Sequence, residues 1–398
     1  MPRRPPIAFL FTVTLTGILN NTLVTPAIPD ILSEFGAPRD RAGLLVAAGS
    51  MAGVVVAPIA GFLADRFGRR IVLTVCLGIF GIFGGLGAFA PTLEVLIIAR
   101  FLQGVGSASL INLAVVLIGD HWTGIERTRL IGRNSAVLTV GLAAVPLLSG
   151  FITESAGWRV AFGIYTVALA TAAASWLILD DHRRADPPQV MDQFREALIV
   201  LKRPVLRASI VAGFLVFIAI FGLFLTVLPV HLAEVFGLEA GGRGLMISLP
   251  AITATLASYN LGRMRMWTSA RTVVIVSAMA LMVAYVTLGL TMTLTVAVIA
   301  TLVYGASEGF FIPMLQDLNV EDAPDEHRAV VIAVWVGAAR LGQTIGPLLA
   351  GLSMGLVGTG TTFVIGSSVA GLILMMGLFG PFPSASRRKA PVGYPPSV

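Results

Sequence analysis

About twelve apolar stretches recur along almost the whole chain, centred near residues 18, 53, 80, 105, 142, 169, 219, 252, 282, 305, 341 and 371. Each reaches about twenty residues, the length a helix needs to cross a bilayer. Lipid offers the backbone no hydrogen-bond partners, so a span of this kind must satisfy its own peptide groups as a helix. Composition agrees with a lipid setting, since 56% of the 398 residues are hydrophobic and only 12% are charged. Soluble proteins carry about a quarter of their residues as charged ones, and the mean hydropathy of this chain is +0.89. Twelve crossings use about 250 residues, which leaves short loops and no room for a water-soluble domain. The expected fold class is an all-α membrane protein of twelve transmembrane helices.

A net charge of +6 and a pI of 10.1 can signal a nucleic-acid partner, but the placement of the charges argues otherwise. With both termini in the cytoplasm, about twenty Lys and Arg fall inside and about four outside (Arg39, Arg41, Arg159, Arg243), and this asymmetry sets orientation. The single cysteine, Cys76, rules out an intrachain disulfide and a thiolate metal cluster. The start of the chain, with Arg3 and Arg4 ahead of an apolar run, has the charge layout of a signal peptide. Because that run is long and leads into no soluble domain, it reads as an uncleaved first span.

Shifted by 201 residues, the chain partly overlays itself. Gly141, Pro146 and Gly150 fall on Gly342, Pro347 and Gly351, and the same offset carries Gly61, Arg70 and Gly104 onto Gly262, Arg271 and Gly305. One offset across separated helices implies two parallel six-helix halves related by an axis along the membrane normal. The expected layout is an N-terminal half over 1–179, a cytoplasmic linker over 180–207, a C-terminal half over 208–382 and a disordered tail over 383–398. In the linker, Val190, Phe194, Leu198 and Leu201 recur at helical spacing. That spacing suits either an amphipathic helix on the membrane surface or a flexible tether.

Between the second and third apolar runs lies Gly61-Phe62-Leu63-Ala64-Asp65-Arg66-Phe67-Gly68-Arg69-Arg70. Positive charge alone would hold topology, but it does not account for an acid and two glycines at these spacings. The turn resembles the loop between helices two and three of the major facilitator superfamily, G-x-x-x-D-r-x-G-r-[RK]. Gly61, Asp65, Arg66, Gly68, Arg69 and Arg70 all fall on that pattern. The resemblance implies a gating role for the turn, with Asp65 reaching basic residues and a helix N-terminus of the other half. The repeat copy has Met266 where the first has Asp65.

Bare charges inside spans are costly and usually functional. Arg100 opens Arg100-Phe101-Leu102-Gln103-Gly104-Val105-Gly106, similar to the superfamily motif R-x-x-q-G-x-g. Arg100, Gln103 and Ser107 share one helix face. The resemblance assigns this arginine to proton coupling or cavity electrostatics, and the alternative is a structural arginine holding a neighbour's carbonyls. Glu308 and Arg340 fall at similar depths in the tenth and eleventh spans, so a Glu308–Arg340 pair either fastens helices or titrates during transport. Family resemblance gives the cavity lining to spans one, four, seven and ten. Asn20, Asn21, Ser107, Phe221, Tyr304 and Phe311 are the expected substrate-cavity residues, and Pro146, Gly150, Gly346 and Pro347 the helix-bending ones. For the Phe residues of span seven, lipid or helix contact is the competing reading.

Nothing in the chain suggests an enzyme. The four histidines are scattered, with no H-E-x-x-H spacing for a metal, and there is no phosphate-cradling G-x-x-x-x-G-K-[ST] run. No cofactor, metal or nucleic acid is expected. The resemblance is to twelve-span bacterial drug–proton antiporters of the cytoplasmic membrane. It implies a monomer in lipid that exports small hydrophobic or amphipathic compounds in exchange for protons. Two departures stand against it: span one has no acid near Asn20, and span five has Val145-Pro146 in place of Gly-Pro. The rival readings are a metabolite symporter or facilitator of the same fold, and a receptor or scaffold that no longer transports.

Overall fold

A computed structural model describes residues 4–180, 201–324 and 327–384. It contains twelve helices long and apolar enough to cross a membrane: Ile7–Glu34, Arg41–Phe67, Arg69–Gly87, Leu93–His121, Gly124–Ala156, Trp158–Ile178, Pro204–Phe236, Ala240–Trp267, Ala270–Leu290, Leu294–Asp322, Val330–Val357 and Thr359–Phe379. Every apolar centre read from the sequence lies inside one of them. Of the expected linker helix, residues 181–200 lie outside the described residues, as does the tail from 385.

Several spans are irregular at mid-depth. Span one runs as a helix over Ile7–Thr22, then tightens into a 3-10 turn over Thr25–Ala27 and resumes over Ile28–Glu34. Pro26 and Pro29 lack the N–H that a regular helix would use, and the Ser149 hydroxyl of span five donates to the Leu23 carbonyl at the break. Span four is interrupted between Leu93–Ser107 and Leu110–His121. Span seven carries a π-helical stretch over Ala219–Val227, where Thr226 Oγ1 donates to the Phe221 carbonyl at 2.7 Å. Irregular backbone at this depth survives only where protein or a water-filled cavity can satisfy it.

The 201-residue repeat reappears as packing. A Cβ at Gly43 of span two would overlap the Pro347 carbonyl of span eleven, beside Gly351. Its counterpart Gly244 of span eight meets the Pro146 carbonyl and Gly150 of span five in the same way. Only glycine lets the backbones approach this closely. Pro146, Gly150, Pro347 and Gly351 are therefore contact points between the halves, beyond any bending they cause. Gly346 faces inward to span seven, where a Cβ would meet the Ile218 carbonyl.

Six crossings per half bring both chain ends and the join between halves to one face of the bundle, here the terminal face. Both glycine contacts lie toward the other face. There the halves are also bridged by polar groups: Arg39 to Glu234 at 3.4 Å, and the Gly241 N–H to Glu154 at 2.8 Å. Arg243, only 3% exposed, is paired with Asp30 and donates to the Pro26 carbonyl at 2.9 Å and to the Leu238 carbonyl at 3.0 Å. Toward the terminal face, by contrast, Gly61, Gly132, Gly262 and Gly337 on spans two, five, eight and eleven have open space where a Cβ would sit. Spans two and four front a cleft of about 280 Å³ there, with Gly61, Asp65, Arg69, Asn112 and Asp120 on its walls. The bundle is sealed on the face opposite the termini and parted on the terminal face.

Candidate functional site

Arg100 is 1% exposed and has no carboxylate beside it among the described residues. One guanidinium nitrogen donates to Gln103 Oε1 at 2.6 Å, Asn20 Oδ1 at 3.3 Å and Tyr165 Oη at 3.4 Å. The other donates to Asn21 Oδ1 at 2.8 Å. The asparagines are fixed in turn, Asn20 to the Gly49 carbonyl at 2.7 Å and Asn21 to Ser50 Oγ at 2.8 Å. A Cβ at Gly49 would strike the guanidinium. The structure thus joins Asn20, Asn21, Arg100 and Gln103 into one buried polar cluster between spans one, two, four and six. It turns Asn20 (6% exposed) and Asn21 (8%) away from the open cavity they were expected to line. Tyr165 had no sequence signal beyond a phenol in an apolar span. Arg100 Nε and Gln103 Nε2 find no partner among the described residues.

A buried ion of this kind costs several kcal/mol unless its hydrogen bonds are made. Replacing Arg100 with Met strands the side-chain oxygens of Asn20, Asn21 and Gln103, at about 1–3 kcal/mol for each buried acceptor. The expected result is a clearly lower unfolding midpoint in detergent. Arg100→Lys recovers only part of the loss, because an ammonium cannot reproduce the guanidinium fork. An unchanged midpoint for Arg100→Met would show the cluster to be structurally idle.

Glu308 occupies the middle of the 29-residue helix Leu294–Asp322. It is half-buried, next to Tyr304 and Tyr285, and forms no ion pair among the described residues. The Tyr304 hydroxyl beside it is buried and makes no well-directed hydrogen bond, and the Tyr304 ring stacks on Phe224 at 4.1 Å. Arg340 points elsewhere. It donates to Gln343 Oε1 at 3.2 Å and, across the bundle, to the Ala108 carbonyl at 3.3 Å. The structure does not form the Glu308–Arg340 pair weighed from the sequence, because the broken end of span four supplies Arg340 with a free carbonyl.

The other expected cavity residues scatter. Phe221 is half-buried against Phe217, with ring centroids 6.2 Å apart. Phe311, Tyr304 and Ser107 are buried, and Ser107 Oγ donates to the Gly104 carbonyl of its own helix at 3.1 Å.

In the charged turn, Gly68 adopts φ 97, which a residue with a Cβ rarely takes, and so ends span two and starts span three at once. Arg69 lies 2.6 Å from Asp65, close but off the hydrogen-bonding axis, and 3.2 Å from Asp120. Both partners belong to the N-terminal half, so in this state Asp65 does not reach across to the other. Arg70 stacks on Trp176 at 4.1 Å, whereas Arg66 approaches Phe67 at 5.7 Å. Gly61 has open space around it.

Two parallel six-helix halves with midplane helix breaks and one sealed face define a secondary-transporter architecture. The Major Facilitator Superfamily model matches residues 10–334 and 243–396. The chain belongs to this superfamily of transporters. It is similar to Multidrug resistance protein 1 of Bacillus subtilis, 28% identical over 254 residues, or 61% of this chain and 64% of that protein. The match thus spans just under two thirds of that relative. In structure it resembles a bacterial homologue of the human lysosomal transporter Spinster, inward-facing and unoccupied. The TM-score is 0.75 at 18% identity, over 93% of this chain and 94% of that one. It resembles a D-xylose–proton symporter equally well, with a TM-score of 0.76 at 17% identity over 95% of this chain and 98% of that one.

Proposed function

We propose that the chain exports small hydrophobic or amphipathic compounds in exchange for protons, by alternating access across a bacterial cytoplasmic membrane. The terminal face lies in the cytoplasm, following the arginine asymmetry, which makes the observed state inward-facing. The likeness to a multidrug resistance protein supports the export reading. The observation that carries the coupling is Glu308, a half-buried carboxylate at mid-span without an ion pair among the described residues. Gaining or losing a proton there changes the charge at the middle of the bundle, and a ligand that favours one of two states shifts their populations. Asp65, Arg66 and the rest of the charged turn serve as the cytoplasmic gate, and the Arg100 cluster holds spans one and four together while the halves rock.

Flux in proteoliposomes with and without an imposed pH gradient is the test. Wild type is expected to accelerate with the gradient, and Glu308→Gln to bind cargo yet lose the acceleration. Wild-type flux that ignores the gradient would establish the facilitator reading instead. An equal response from Glu308→Gln would move the proton site to another carboxylate.

A further inference from the structure

Arg340 marks the point where the sealed part of the bundle gives way to the open part. On its own helix Pro347 is pressed against Gly43 of span two, whereas Gly337, one turn the other way, has open space around it. The guanidinium lies against Gly53, where a Cβ would sit 3.7 Å from it. It reaches Ala108 at the break of span four, and the next residue, Ser109, lines the cleft that opens past Asp65 to the terminal face. The cleft is walled by the N-terminal half from the charged turn to Ser109, one residue from the carbonyl that Arg340 holds.

Arg340 is poorly satisfied for a cation at this depth. A guanidinium has five N–H donors, and the structure shows two bonds, both long, to neutral oxygens. No carboxylate lies within ion-pairing distance among the described residues, and the side chain is only half-buried. Arg100, the other cation at this depth, is wrapped by four oxygens and closed to solvent. A charge kept within the membrane is usually held for function. A planar fork with free donors is suited to a carboxylate or sulfonate, which it can bind by two parallel charge-assisted bonds.

We infer that Arg340 takes the anionic group of the cargo, so that amphipathic anions are preferred over neutral compounds of the same shape. This rests on the amphipathic-cargo reading above and narrows it. A cargo head group displaces the weak contact to Ala108, which joins the two halves, so binding acts directly on the contact that holds them at mid-depth.

A dansylated undecanoic acid and its methyl ester, which differ in charge and little else, are the probes. Each is titrated by fluorescence against the full-length protein in detergent. Wild type is expected to bind the acid at least about tenfold more tightly than the ester, a difference of about 1.4 kcal/mol. Arg340→Gln is expected to erase that preference with little change in ester affinity, and Arg340→Lys to restore part of it. Equal binding of acid and ester by wild type would overturn the inference. So would an equal loss for both probes in Arg340→Gln, which would leave Arg340 a cap on the broken helix. Because the wild-type comparison stands without a variant, poor folding of Arg340→Gln does not spare the proposal. Binding of neither probe would overturn the amphipathic-cargo reading itself.

Discussion

Arg243→Gln is expected to open the sealed face. In wild type the guanidinium is almost wholly buried between the halves, paired with Asp30 and bonded to the Pro26 carbonyl of the N-terminal half and to Leu238 of its own. Removing one partner of a buried pair costs about 3–5 kcal/mol. The Asp30 side chain is 34% exposed, so water recovers part of that loss and about 2–3 kcal/mol remains. The cost falls on the sealed state alone, because the pair exists only where the two halves meet. At about 1.4 kcal/mol per power of ten, the population moves roughly thirtyfold to a little over a hundredfold toward the state open on that face. The measurement uses a Cys76→Ser background with Phe221→Cys on the mid-depth stretch of span seven. An impermeant thiol reagent is applied from each side of oriented vesicles. Labelling from the sealed side is expected to rise at least about tenfold, and Asp30→Asn to produce the same change. An unchanged rate in both variants would mean that the glycine contacts, Gly43 against Pro347 and Gly244 against Pro146, hold the face shut without help.

Asp65→Asn is expected to lower transport by more than about tenfold, equivalent to about 1.4 kcal/mol on the limiting step, while barely changing folding. In the observed state the carboxylate pairs, among the described residues, with Arg69 of its own half, and the pair is 19% and 11% exposed. A pair near the surface contributes about 0–1 kcal/mol to stability, so the unfolding midpoint should move little. The large effect belongs to the opposite state, in which the terminal face closes. There the proposed partners are basic groups and a helix N-terminus of the other half, where an anion is favoured by about 0.3–1 kcal/mol or more. Transport and thermal unfolding measured on the same preparation separate the two roles. Full transport by Asp65→Asn would reduce the turn to a topology signal, and a large fall in midpoint would make its role structural.

The twelve spans, the helical fold and the two-half architecture were legible in the residues alone, for a simple physical reason. A bilayer demands about twenty apolar residues per helix, and a repeat offset survives as glycine and proline spacing because only those residues permit close backbone contacts. Gly43 and Gly244 had not been singled out, yet they stand at the same 201-residue offset as the Pro146–Pro347 pair they touch. Charges inside spans were legible too, since lipid leaves few reasons to keep them.

What those charges touch was decided only by the tertiary structure. Arg340 and Glu308 lie at similar depth, but depth along a helix says nothing of which way a side chain turns. The guanidinium found its partner at a break in span four that no proline announces. Asn20 and Asn21 looked like cavity residues and instead wrap Arg100, because a desolvated cation recruits whatever amide oxygens its neighbours offer. Asp30 and Arg243 are separated by more than two hundred residues and sit at the ends of different spans. Only the docking of one half against the other brings them together. Hydrophobic length is a property of each segment and can be read one segment at a time, whereas a partner is a property of two segments and the path the chain takes between them.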